Sequence, residues 1–194
     1  MAGAILAAPL AIEAWALRGG ARDADVLRIG MGPRRAARAL EALRARRPAA
    51  VAVAGVCGAL DASLVPGDVL VAEALLGPDG ERIALDAAPL LAALARHGIE
   101  ARAGAIACVE RLFGGPSRAS LAARGACAVE MESFWLAPLA RTCPFAVLRV
   151  VSDGPGHELL RPAILWNGAR ALRRLRSAAP ALRAWAAAAA KGSA

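Results

Sequence analysis

The segment AVEMES (residues 128–133) sets two carboxylates, Glu130 and Glu132, either side of Met131, directly after a small apolar run. A third acid, Asp153, closes the run VLRVVSD (147–153) behind Ser152, and a fourth, Glu13, stands in APLAIEAW near the start of the chain. Fixed carboxylates can hold a developing positive charge or hand a proton to a leaving group. Each also has an ordinary explanation. Surface acids are common, an Asp after a strand can cap the next helix, and a Glu in a first helical turn is favoured by the helix dipole. Gly55 and Gly58, in GVCGALDASLVPGDVLVA (55–72), add backbone N–H groups that could line a sugar or anion site, although a plain turn needs the same glycines. The segment is neither a GxGxxG fingerprint nor a P-loop.

The elements that must position these residues follow an α/β pattern, with short apolar runs alternating with Ala/Leu/Arg segments of helical period. Strands are expected over 3–8, 26–29, 49–54, 68–76, 101–109 and 145–152, the last a buried central one. Helices are expected over 33–46, with Pro33 in its first turn, over 88–97, stopped by Gly98, and over 162–190, broken at Pro180. The turn GPDG (77–80) suggests a hairpin. In open α/β sheets, ligands gather at the carboxyl ends of strands, which singles out Glu13, the Gly55–Gly58 turn after the third strand, and Asp153. Glu130 is expected to point away from Glu132 and to be structural.

Composition narrows the classes. A chain of 194 residues fits one domain, 1–194, with a loose, disordered tail at 191–194. Charged residues, Gly or Pro interrupt every apolar segment before it reaches a membrane-spanning length. The apolar N-terminal stretch lacks a basic leader and contains Glu13, so it reads as a buried strand rather than a signal peptide. Four dispersed cysteines with two histidines suggest neither zinc nor disulfides, but reduced thiols in a cytoplasmic protein. The net charge of +8 raises nucleic acid or an anionic surface as partners. Arg44, Arg46 and Arg47 end a helix, where its dipole explains them, and Arg170, Arg173, Arg174 and Arg176 read as a solvated face. Neither cluster carries interleaved aromatics, so nucleic acid is not expected.

Taken together and in this order, GVCGALDASLVPGDVLVA, AVEMES and VLRVVSD resemble the nucleoside phosphorylase and nucleosidase superfamily, in particular the methylthioadenosine/S-adenosylhomocysteine nucleosidases. The turn DGERIALDAA (79–88), the spelling VEMES and the short chain look most like the hopanoid-associated phosphorylases, which act on adenosylhopane. The resemblance implies a single α/β domain, a central mixed, twisted β-sheet flanked by helices, that cleaves the N-glycosidic bond of an adenosine-type nucleoside with a modified 5′ carbon. It implies that Glu132 binds the ribose hydroxyls with Met131 against the sugar face, that Asp153, oriented by Ser152, protonates the departing purine, and that Glu13 positions the nucleophile. Gly55 and Gly58 would line the site, and Phe113 or Trp135 could border the base or 5′ group, with core packing an equal alternative. Arg34 and Arg149 are the candidates for holding phosphate, which is expected as co-substrate in preference to water. No metal or organic cofactor is implied. The expected partners are the nucleoside, further copies of the chain in a homo-oligomer and, for a lipid-bearing substrate, the membrane surface.

Overall fold

The computed structural model describes residues 3–111, 117–154 and 164–192. Strand β1 (Ala4–Ala8) leads into α1 (Ala11–Gly20), and β2 (Asp25–Arg28) into α2 (Pro33–Arg46). There follow β3 (Ala50–Ala59), the hairpin of β4 (Val69–Leu76) and β5 (Arg82–Ala84), α3 (Ala88–Arg96), β6 (Arg102–Cys108), α4 (Arg118–Ala123) and β7 (Ala128–Glu130). A short α5 (Ser133–Leu136) runs into a 3-10 turn, Ala137–Arg141, before β8 (Phe145–Asp153) and the long α6 (Ile164–Gly192).

The sheet is mixed, and part of it closes on itself. Strand β3 pairs with β8 in parallel, β8 with β4 in antiparallel, β4 with β6 and β6 with β7 in parallel, and β7 returns to β3 in antiparallel. From this ring β1 and β2 extend in parallel beyond β3. Side chains alternate along the strands as a two-residue period requires. Ile5, Val51, Val53, Val147 and Val151 face one core together with Leu40 and Leu43 of α2. Leu6, Ala50, Ala52, Leu148 and Val150 face the other, under α1, α3 and α6. Arg149 shares the face of Val147 and Val151, so it points inside the ring. Full burial of each Leu or Val contributes roughly 1.5–3 kcal/mol.

Two elements depart from the expected pattern. Strand β3 does not stop at a turn but continues through Gly55 to Ala59, with an irregularity between Cys57 and Gly58. Neither Gly55 nor Gly58 has a positive φ. Gly55 is needed for close approach instead, because a Cβ there would lie 2.6 Å from Arg149 Nη1 and 2.7 Å from Glu13 Oε1. Helix α6 is not broken at Pro180. The proline removes the N–H donor of the Arg176 carbonyl, and that carbonyl lies against Gly20, where a Cβ would overlap it. The neighbours Ala178, Ala179, Ala181 and Leu182 are fully buried, and this packing holds the helix continuous through the proline. Of the expected loose tail, Lys191 and Gly192 still belong to α6.

Candidate active site

The carboxyl ends of the parallel strands β1, β3 and β8 lie side by side, and the antiparallel β7 brings its own end to them through the pairing of Val129 with Gly58. Glu13 stands three residues after Leu10, the residue that caps α1. Its Oε2 accepts the Leu10 N–H at 2.6 Å and its Oε1 accepts the Val56 N–H at 2.7 Å. One carboxylate therefore caps its own helix and ties it to β3. Burial pushes the Glu13 carboxyl up from the ordinary range, against the pull of Arg149 and of these two N–H groups.

Glu130 and Glu132 do not point apart. Strand β7 ends at Glu130 and the chain turns into α5, which swings both side chains toward Arg149 Nη2. Glu130 forms an ion pair with Arg149, accepts the Cys108 thiol, the Ser133 hydroxyl at 3.1 Å, and the N–H groups of Glu132 at 2.9 Å and Ser133 at 3.0 Å. Burial works to raise its pKa, but Arg149 and these donors outweigh it and hold the carboxyl below its ordinary value. Glu132 accepts the Gly32 N–H at 2.8 Å and stands 3.4 Å from Arg149. Gly32 has φ +90, a conformation suited to glycine, and this aims its N–H at the acid. Burial, and then the charge of Glu130, push the Glu132 carboxyl up to about 7.

Arg149 is fully buried, and its Nε and Nη1 have no hydrogen-bond partner among the described residues. Burial alone would lower its pKa, but Glu130, Glu132 and Glu13 hold it charged. One guanidinium thus pairs with two carboxylates and feels the third, Glu13, through its charge alone. In the same ring, burial raises the pKa of the Cys57 and Cys108 thiols, which keeps them protonated.

Asp153 is the last residue of β8. The Ser152 hydroxyl is 3.1 Å from its Oδ1 and 3.1 Å from the Cys57 carbonyl oxygen. A hydroxyl has one proton to donate. The Ser152 hydroxyl donates to one of these two oxygens at a time and holds the Asp153 carboxyl at the end of β8. Its Oδ2 is paired with Arg118 of α4, whose Nη1 donates to the Ala59 carbonyl at 2.7 Å.

A cavity of about 260 Å³ opens between the two groups of acids. Glu13, Gly58, Met131, Glu132, Ser152 and Asp153 line it together with Arg118 and Met31. The remaining expected residues lie elsewhere. Gly55 sits between Glu13 and Arg149, and Arg149, expected to meet phosphate, is sealed behind the glutamates. Arg34 and Trp135 line a neighbouring cavity, and Phe113 lies outside the described residues. Arg118 was not singled out from the sequence, because its contact with Asp153 joins residues far apart in the chain and no motif accompanies it. Among the described residues, no group of three or more His, Cys, Asp or Glu side chains is placed to hold a metal ion.

Residues 18–183 match the family model described as the phosphorylase superfamily. The chain belongs to that superfamily. Solved structures of several nucleosidases share the fold seen here. A 5′-methylthioadenosine/S-adenosylhomocysteine nucleosidase from Campylobacter jejuni superposes with a TM-score of 0.80 at 19% identity, over 95% of this chain and 98% of that one. A futalosine hydrolase mutant from Helicobacter pylori gives 0.78 at 17%, over 95% and 98%. An S-adenosylhomocysteine nucleosidase from Streptococcus pyogenes, in complex with 5-methylthiotubericidin, gives 0.72 at 21%, over 91% and 95%. No curated protein matches the chain. None of its described helices is long and apolar enough to cross a membrane.

Proposed function

We propose that this chain hydrolyses the N-glycosidic bond of a purine nucleoside carrying a modified 5′ carbon, releasing the free base. The observation that carries this reading is the convergence of Asp153, Glu13 and Glu132 on one cavity whose described wall contains a single cation, Arg118, already paired with Asp153. Asp153, oriented by Ser152, supplies a proton to the departing base as the electron pair of the glycosidic bond moves onto the base nitrogen. Positive charge then develops on the ribose, as in glycoside cleavage, and the Glu132 carboxylate stabilises it more than it does the neutral ground state. Water donates to Glu13, loses its proton there and attacks the anomeric carbon.

Water is favoured over the expected phosphate by charge. A phosphate dianion in this cavity meets the carboxylates of Glu13 and Glu132, and the buried Arg149 is engaged behind them. The related nucleosidases named for 5′-methylthioadenosine make adenosine-type nucleosides the first substrates to test.

Incubation of 5′-methylthioadenosine with the protein, followed by chromatography, should release adenine and the free sugar at equal rates with and without phosphate. Asp153→Asn should reduce that release about 100-fold or more, the range of a general acid's contribution. Accumulation of a ribose 1-phosphate, with little turnover when phosphate is omitted, would establish phosphorolysis instead.

A further inference from the structure

Across Met131 from the reaction cavity lies a second one, about 920 Å³, which shares Met31 and Met131 with the first. Its wall holds Arg34, Arg35 and Arg38 of α2 together with Arg111, against one acid, Glu110. No hydrogen bond or ion pair joins any of these five side chains to another described residue; the ion pairs of α2, Arg44 with Glu41 and Arg46 with Asp25, lie toward its other end. Helix stability does not explain the arginines. Cations belong at a helix C-terminus, where Arg44 and Arg46 sit, whereas Arg34 and Arg35 occupy the first turn, with no acid beside them to suit the dipole.

The two cavities meet at the ribose end of the proposed site. Gly32, whose N–H holds Glu132, belongs to the wall of the second cavity, and Asp153 does not. A nucleoside with its base at Asp153 and its hydroxyls on Glu132 has one free branch, the 5′ carbon. A substituent there passes over Met31 and Met131 and ends among the arginines. Guanidinium groups recognise carboxylate and phosphate oxygens through paired, charge-assisted hydrogen bonds.

We propose that the arginine-lined cavity beside Met131 binds a negatively charged group, a carboxylate or phosphate, borne on the 5′ substituent of the nucleoside. The inference rests on the nucleosidase reading for the placement of the ribose, and it names the class of substrate that this site prefers.

The test compares 5′-S-(3-carboxypropyl)-5′-thioadenosine with its methyl ester, which has the same reach without the charge. The acid should be cleaved with a kcat/KM about tenfold or more above the ester, the effect of charge-assisted hydrogen bonds. The preference should shrink at high salt and collapse toward parity in Arg34→Ala/Arg38→Ala. Equal rates for acid and ester, or preference for the ester, would overturn the proposal and make the 5′ site apolar. A phosphate requirement for cleaving 5′-methylthioadenosine that the double variant alters would also overturn it, by assigning the arginines to free phosphate. Calorimetric binding of both compounds to the native protein separates this inference from the reading beneath it. Tighter binding of the acid without release of adenine upholds the anion site and removes the nucleosidase reading; equal binding removes the site.

Discussion

Burial and the charge of Glu130 push Glu132 up to about 7, so the acid proposed to face the ribose ionises near neutral pH. Only the ionised form opposes a developing cation, and turnover should therefore rise between pH 6 and 8. The same shift fixes a stability effect of known sign. An unfolded glutamate loses its proton near 4.5, while folded Glu132 keeps it until about 7. Between those values the native state binds the extra proton, so stability falls as pH rises, and above about 7 the loss is complete. Glu132→Gln avoids this ionisation and retains an oxygen for the Gly32 N–H. It should melt higher than the native protein at pH 8, by a margin that shrinks at pH 5, while losing about 100-fold in activity. A lower melting temperature than the native protein at pH 8 would contradict the assignment. Glu130 behaves in the opposite way. Its ionised form is the principal partner of a fully buried Arg149, and removing one member of a buried pair costs about 3–5 kcal/mol. Glu130→Gln, which looks harmless in sequence, should lower the denaturant midpoint far more than Glu132→Gln does.

Elements whose formation depends on local pattern were legible in the sequence. Helix α2 begins and ends where Pro33 and its arginines indicate, and β8 follows from its apolar run. Helix α1 was signalled only by Glu13 as an acid in a first turn, because the apolar residues of β1 continue through Pro9 and Leu10 into it without a polar cap. The three residues of β7 form a strand only because β6 and β3 flank them, a long-range condition that no short pattern encodes. The acids in the cavity wall could be picked out by motif, but the burial of Arg149 among them could not, since it depends on the closing of the ring. Gly55 shows the same limit, for its reason is the close approach of both Arg149 and Glu13 to β3 rather than a turn. Gly55→Ala should consequently displace both side chains. A stability loss of roughly 1–3 kcal/mol is expected from overpacking, with reduced activity because Glu13 shifts; chemical denaturation and the adenine-release assay read the two effects. A neutral outcome in both would mean that Arg149 and Glu13 move away from position 55 at little cost.

At the scale of the whole molecule, the inside and the outside carry opposite charge. The cavity concentrates Glu13, Glu132 and Asp153, while the chain as a whole has a net charge of +8. The arginines of α6 do not form a uniform free face. Arg170 folds over Gly67 and Arg176 lies against Gly19, where a Cβ would come within 2.8 Å and 3.2 Å of their respective side chains. Arg34, Arg35, Arg38 and Arg111 instead converge beside the proposed site. Positive charge spread in this way attracts an anionic surface through many weak contacts, each worth about 1 kcal/mol near the surface at low ionic strength and screened beyond roughly 10 Å at 0.1 M salt. The protein should therefore sediment with phosphatidylglycerol vesicles at low salt, remain free of phosphatidylcholine vesicles, and be released from the former as salt rises past a few tenths molar. Release with salt is the discriminating result, since insertion of Trp15 or Trp166, both well exposed, into the bilayer would survive it. Equal sedimentation with both lipids, insensitive to salt, would assign any membrane contact to those tryptophans and leave the arginines to the second cavity alone.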